Sequence, residues 1–396
     1  MKALRKKRNK LKLCGFLLFT LTTIYYCLIY RPLSKKTRFL QDKKLQRCKP
    51  ELTPQQCQLV LRLHEITTYN ISTPAESYTQ PCNASARACT SNCSKPLQTN
   101  LEGNLLNTLT SAKFYLKDET LLDILAIGKT IPENDVIIMS ASSSDHYHET
   151  QAMFYNLHNV VFPLVENLTV VLFDIGLTLE QRQETEKHCR CKVIKFPSER
   201  FPPHVKKNYC YAWKPIIMRA MMERARKVFI YQDSTIRWTE GIIDVMKRAT
   251  DIGLQLFRRP HEDRIPIDTL IQAFDYFEEK PCAFDPFPHL LAGIAVYRRD
   301  VFNARAILEP WAKCALVPEC ICPVASPESV RSCKSPVAYH RCHRFDQSAL
   351  GMITAILFNK EIFRVISPDL NFKVKINRTE YMPQYFNSLE KHLNKV

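Results

Sequence analysis

An α/β fold, a mixed and mainly parallel sheet with helices on both faces behind a transmembrane helix and a stem, is predicted by three features of this 396-residue sequence. Short apolar runs alternate with helical stretches of about ten residues from about Tyr115 onward, the pattern of β-α-β units. An eighteen-residue run without a charge, Leu13–Tyr30, stands near the N-terminus. Between the two, residues 31–118 are rich in Ser, Thr, Gln, Asn and Pro, and their hydrophobic periodicity is poor apart from a helical stretch around Gln55–Ile66.

The α/β region, residues 119–396, reads as follows. Val136–Ser140, Leu168–Phe173, Lys192–Phe196 and Lys227–Tyr231 are apolar runs of strand length. Helical stretches at Glu149–His158, Leu179–Cys189, Lys214–Arg226 and Glu240–Thr250 follow them or lie between them. Beyond Thr250 the alternation loosens. Leu290–Tyr297 is strand-like, Val301–Lys313 and Gln347–Phe358 are helical, and a cysteine-rich insertion fills 314–342. A region of this size supports a single substantial core.

Leu13–Tyr30 is long enough as a helix to cross a hydrocarbon layer of ~30 Å and to satisfy its own backbone hydrogen bonds there. Seven Lys/Arg and no acid precede it, so residues 1–12 are expected in the cytosol and the rest of the chain beyond the membrane. A cleaved signal peptide fits less well, because the run is long and ends on Tyr30-Arg31-Pro32 rather than a small-residue cleavage site. The expectation is a single-pass type II protein of the Golgi or endoplasmic reticulum, with the cell surface as an alternative.

Asn-x-Ser/Thr sequons at Asn70, Asn83, Asn92, Asn167 and Asn377 all follow the apolar run and are candidate glycosylation sites. Fourteen of the sixteen cysteines, Cys48 to Cys342, also follow it; in an oxidising compartment they read mostly as disulfides. The spacings of Cys314, Cys320, Cys322, Cys333 and Cys342 fit no standard zinc finger. Of the net charge of +17, residues 1–47 carry +13, leaving +4 for the remainder. The excess belongs to the membrane-proximal segment and argues against a nucleic-acid partner.

In an open parallel sheet, ligands bind beyond the carboxyl ends of the strands. After the first strand comes Ser140-Ala-Ser-Ser-Ser-Asp145-His-Tyr-His148, where Ser143 and Asp145 either cap the next helix or help bind a nucleotide at its backbone N–H groups. Asp145, His146 and His148 offer metal-ligand chemistry, at a spacing that is not specific for it. The fourth strand delivers Asp233, followed by Ser234 and Thr235. Asp233 stands too far ahead of the next helix to be its cap. Asp346, in Arg344-Phe-Asp-Gln-Ser-Ala-Leu350, opens an apolar helix either as a cap or as a group that touches substrate. Trp213-Lys214-Pro215 opens another, with Pro215 in its first turn and Lys214 able to reach a phosphate.

A helix ending in basic residues, then an apolar strand, then Asp233 resembles nucleotide-sugar glycosyltransferases of the GT-A, Rossmann-like fold. The aromatic-Trp-Lys-Pro entry is similar to that of animal glycosyltransferase-like type II membrane proteins, over roughly residues 130–370. The resemblance implies transfer of a sugar from a nucleoside diphosphate to a glycoprotein or glycolipid. Asp233 would hold Mn²⁺ or Mg²⁺ on the donor diphosphate, with Ser143, Asp145, Lys214, Ser234 and Thr235 around the donor. Asp346 matches an Asp-Gln-x-x-Leu segment beside the acceptor, which implies a base or an acceptor contact. His340 and His343 precede it, where parts of the family place a metal ligand; beside Cys342 they can equally be structural. The sequence departs from the family's Asp-x-Asp motif, since Thr235 stands where the second acid is expected. A catalytically inactive, membrane-tethered binding or cell-surface protein of the same fold is the alternative.

Overall fold

The structure, a computed structural model, describes residues 48–69, 96–259, 264–330, 333, 342–367 and 373–393. The expected anchor at 13–30, the sequons Asn70, Asn83 and Asn92, and His340 lie outside them. Among the described residues, no helix is long and apolar enough to cross a membrane.

The chain divides into two units, Met1–Leu59 and Val60–Val396. In the first, a Cys48–Cys57 disulfide closes a short loop. Helix α1 (Pro54–Thr68) starts there, entered through Thr53, whose Oγ1 accepts from Gln56 N at 3.2 Å while Gln56 Oε1 accepts from Thr53 N at 2.9 Å.

The second unit is built on a six-stranded sheet in the order β3-β2-β1-β4-β7-β6. β1 (Asn134–Ser142), β2 (Leu168–Asp174), β3 (Lys192–Lys195) and β4 (Ala225–Gln232) are parallel. β7 (Ile294–Arg298) runs antiparallel to β4, and β6 (Leu254–Gln255) antiparallel to β7. A small separate sheet pairs β5 (Ile236–Trp238) with β8 (Val374–Ile376). The chain winds from β1 outward to β3, then returns to place β4 on the other side of β1. That reversal opens a crevice between the carboxyl ends of β1 and β4.

Alternation along the strands divides the core. Val136, Ile138, Val170, Leu172, Val228, Ile230 and Val296 face one side, with Met153 and Phe154 of α4 (Tyr147–Asn156) and Ile242, Val245 and Ala249 of α7 (Ile242–Ile252). On the other side α6 (Trp213–Met222) packs on β1 and β4, and all ten of its residues are buried. Ile216, Ile217, Met218, Met221 and Met222 supply its apolar surface, and its two charges are buried in ion pairs, Lys214 with Asp346 and Arg219 with Glu309. α3 (Asp118–Ile127) lies against α6; α5 (Leu179–His188) joins β2 to β3. α8 (Ile271–Phe277) is a short helix between β6 and β7; α9 (Glu309–Ala315) and α10 (Asp346–Phe358) complete the α6 layer.

Some expectations shift. The helix expected over Lys214–Arg226 ends at Met222, because Ala225 already pairs with Asn134 in the sheet. The run at Val301–Lys313 is a π-helical segment, Asn303–Leu308, followed by α9, with Pro310 unable to donate a backbone hydrogen bond. The stem boundary at 118 falls too late. α2 (Leu101–Thr110) packs on α10, Leu97 and Leu105 are buried, and Asn359 Nδ2 donates to Leu97 O at 3.2 Å. Apolar side chains spaced three and four apart in an otherwise polar segment supply the face. In the cysteine-rich insertion, Cys314–Cys320 and Cys333–Cys342 close locally, but Cys322 bonds to Cys210, ahead of α6. Cys189–Cys191 is a further disulfide, and Cys282 is also disulfide-bonded.

Candidate active site at the β1/β4 crevice

The three segments singled out at strand and helix ends meet at the β1/β4 crevice. Asp233 follows β4 and its N–H donates to Gly293 O at 2.7 Å, which fixes the turn against the start of β7. A Cβ on Gly293 would lie 2.6 Å from Asp233 Oδ2, so a side chain there would displace the carboxylate from its present seat. Tyr231, fully buried on β4, donates its hydroxyl to Asp233 Oδ1. Burial, with Asp233 beside it, holds the Tyr231 pKa well above the usual phenol value, so it stays a neutral donor.

Lys214 occupies the centre. Its Nζ lies 2.8 Å from Asp346 Oδ2, 3.3 Å from Asp233 Oδ1 and 3.4 Å from Ala292 O. The rings of Tyr231, Tyr211 and Trp213 surround the ammonium at 5.1, 5.3 and 5.8 Å. Burial works against its charge, but Asp233 and Asp346 more than offset this and hold its pKa above the ordinary lysine value. The turn that delivers Lys214 is pinned by the Cys210–Cys322 disulfide and by Tyr211, which adopts a left-handed φ of 51°.

Asp346 is the first residue of α10, and its carboxylate turns to Lys214 instead of capping the helix. Its carbonyl accepts from Trp311 Nε1 at 3.0 Å. Burial raises the Asp346 pKa, Lys214 opposes that rise and Asp233 adds to it. A carboxyl so raised is a better proton acceptor than an ordinary aspartate. His343 is fully buried and packs edge-on against Phe345 at 5.1 Å, in a structural setting.

On the β1 side, the serines do not cap α4. Ser142 Oγ pairs with Thr150 Oγ1 at 2.7 Å, and Ser143 Oγ donates to the Asp145 carboxylate. His146 Nδ1 lies 2.7 Å from Glu149 Oε2, and Glu149 accepts from Ser234 Oγ at 3.1 Å. Glu149 therefore ties the two sides of the crevice together, and Ser234 turns to it and is buried. The Glu149 contact raises the His146 pKa; burial opposes this, while Asp145 and Asp233 add to the rise. Thr235 is half-buried, and its carbonyl accepts from Asn377 N at 2.8 Å. Asn377 is half-buried beside it, whereas Asn167 is exposed.

Beyond Ser143, a cavity of about 250 Å³ opens at the ends of β2 and β3, lined by Asp174, Gly176, Lys195, Lys206 and Asn208 among others. Glu149, Tyr231 and Gly293 are the site residues that sequence reasoning missed. Only Gly293 left a signal, a glycine inside an apolar strand-like run.

The metal expected on Asp233 does not fit this donor set. A hard divalent cation takes several oxygen ligands. Here Asp233 Oδ1 already meets an ammonium and a phenol hydroxyl, and the second acid position holds Thr235. Among the described residues, the trio of His, Cys, Asp or Glu atoms close enough to share an ion is Asp268, Cys333 and Cys342, and those two sulfurs are bonded to each other.

The chain is similar to glycosyltransferases of known structure. The galactosyltransferase LgtC, solved with donor and acceptor sugar analogues, matches at 12% identity and a TM-score of 0.27, over 45% of this chain and 59% of its own. Mouse xyloside xylosyltransferase 1 matches at 12% identity and a TM-score of 0.35, over 63% of this chain and 100% of its own. A mannosyltransferase from Pyrobaculum calidifontis, in complex with GDP-Man and Mn²⁺, matches at 13% identity and a TM-score of 0.24, over 50% and 56%. A family described as "Protein of unknown function (DUF1647)" matches residues 78–219. No curated protein matches.

Proposed function

We propose that this protein is a glycosyltransferase, moving a sugar from a nucleoside diphosphate to a glycoprotein or glycolipid in the secretory lumen, where a type II anchor at 13–30 would hold it in the Golgi or endoplasmic reticulum. One observation carries the reading: Lys214 joins Asp233 and Asp346 at the β1/β4 crevice, where an open α/β sheet binds its ligands. Asp233 positions the donor sugar. Ser143 and Asp145 border the donor from the β1 side, and the cavity at the ends of β2 and β3 has room for part of the nucleoside.

In the reaction, the acceptor hydroxyl oxygen bonds to the anomeric carbon as that carbon's bond to the phosphate oxygen breaks. The nucleoside diphosphate leaves with the electron pair, and Asp346 takes the hydroxyl proton. A catalytically silent, membrane-tethered binding or cell-surface protein is the second reading; the burial of Asp346 and Thr235 in place of an acid favour it. Incubating the full chain in detergent with a panel of nucleotide sugars and acceptor glycans separates the two. Release of a nucleoside diphosphate that requires the acceptor supports the transferase. Nucleotide binding without turnover of any donor supports the silent protein.

A further inference from the structure

Resting on the transferase reading, we propose that this site works without a divalent cation and that Lys214 is the fixed positive charge it works with. Three observations lead there. First, Lys214 already stands between the two acids: its Nζ is 2.8 Å from Asp346 and 3.3 Å from Asp233. Second, the ammonium is walled by Tyr211, Trp213 and Tyr231 and is 3% exposed as a residue, so water screens it little. A charge held rigidly in such a place stabilises developing negative charge without reorganising. Third, among the described residues the groups around Asp233 are a poor ligand set for a metal. Thr235 stands in place of the second acid, Ser234 is committed to Glu149, and Asp233 Oδ1 is shared between Tyr231 and Lys214.

The consequence for Asp233 is a change of role. Its carboxylate is partly neutralised from behind and is 38% exposed as a side chain, so it meets the donor as an acceptor for a sugar hydroxyl. As the bond to the diphosphate breaks, negative charge builds on the departing oxygen, and the buried Lys214 ammonium behind Asp233 offsets it through space. On the opposite wall His146 is paired with Glu149, which raises its pKa, so it holds a proton more readily than a free histidine. Lys214 is thus a positioning and electrostatic residue for both carboxylates.

The test compares UDP and GDP as probes on the full chain in detergent, by thermal shift and titration calorimetry, in EDTA and in Mn²⁺. The inference predicts that the nucleotide that binds does so equally in both, within about twofold in Kd. Lys214→Met should then weaken binding at least tenfold in either condition, and Lys214→Arg should restore part of it. Should Lys214→Met fail to fold, the wild-type comparison still decides. Binding that appears only with Mn²⁺ overturns the inference and leaves the transferase reading standing. Absence of nucleotide binding in both conditions overturns the two together.

Discussion

Lys214 and Asp346 form a buried ion pair at 2.8 Å, with side chains 4% and 6% exposed, at the first turns of two helices far apart in sequence. Removing one partner of such a pair strands the other charge in a medium that solvates it poorly, at a cost of about 3–5 kcal/mol. Lys214→Met should destabilise the fold by about that amount. Adding Asp346→Asn to the same chain should recover a good part of it, because the stranded charge is gone. Denaturant melts of the two singles and the double measure the coupling. Strictly additive losses would mean that the pair does not interact.

Gly293→Ala tests the seat of Asp233. The new Cβ would come within 2.6 Å of Asp233 Oδ2, so the carboxylate must move. A displacement near 1 Å at a reacting group costs on the order of a hundredfold in rate. Turnover should fall by about that factor, with a modest change in melting temperature. Unchanged steady-state kinetics would place Asp233 outside the reaction.

Acid should destabilise the protein through two buried histidines. His289 and His343 are fully buried, and burial pushes each from an ordinary 6.5 down to about 3. Below 6.5 the unfolded chain takes up protons that the folded chain refuses, so stability falls continuously as the pH drops toward about 3. Melting temperatures between neutral pH and pH ~4 should fall more steeply for the wild type than for His343→Gln or His289→Gln. Parallel curves would show that neither histidine is buried neutral.

His146 has the opposite sign. Its raised pKa means that the folded chain holds the proton more tightly, so its contribution is complete below the unfolded value and is lost as pH rises through the folded one. Nucleotide binding should weaken over the same window, and His146→Gln should flatten that dependence. An NMR titration of the His146 ring at or below the free histidine value would contradict this.

A chain cut at residue 119 should fold poorly. It loses Leu97 and Leu105, both buried, and each such side chain contributes about 1.5–3 kcal/mol. Secretion yield and melting temperature of chains beginning at 48 and at 119 compare the two. Equal stability would restore the boundary at 118.

Much of this architecture is written in local pattern. Three of the four parallel strands, β1, β2 and β4, carry buried runs of Val, Ile, Leu and Phe, and such runs announce themselves; β3, Lys-Val-Ile-Lys at the sheet edge, is the weaker signal. Asp233 and Asp346 are visible as acids at a strand end and a helix start, and Lys214 through its Trp-Lys-Pro entry. The relation among the three is not visible, because a buried pair between two helix starts leaves no mark on either segment. Glu149 is a first-turn acid of α4, and its bridge to Ser234 exists only once β1 and β4 lie side by side. The β5–β8 sheet is illegible for a different reason: three residues per strand are too few to show a period. α2 was hidden because Asn, Thr and Gly dilute its apolar face.

Hydrogen exchange of the full chain, with and without a nucleoside diphosphate, tests the central claim most directly. Binding at the β1/β4 crevice predicts slower exchange in residues 140–149, 211–216 and 231–235 together, with 314–330 unchanged. Protection confined to other segments, with these three exchanging as in the free protein, would contradict a donor site at Asp233 and Lys214.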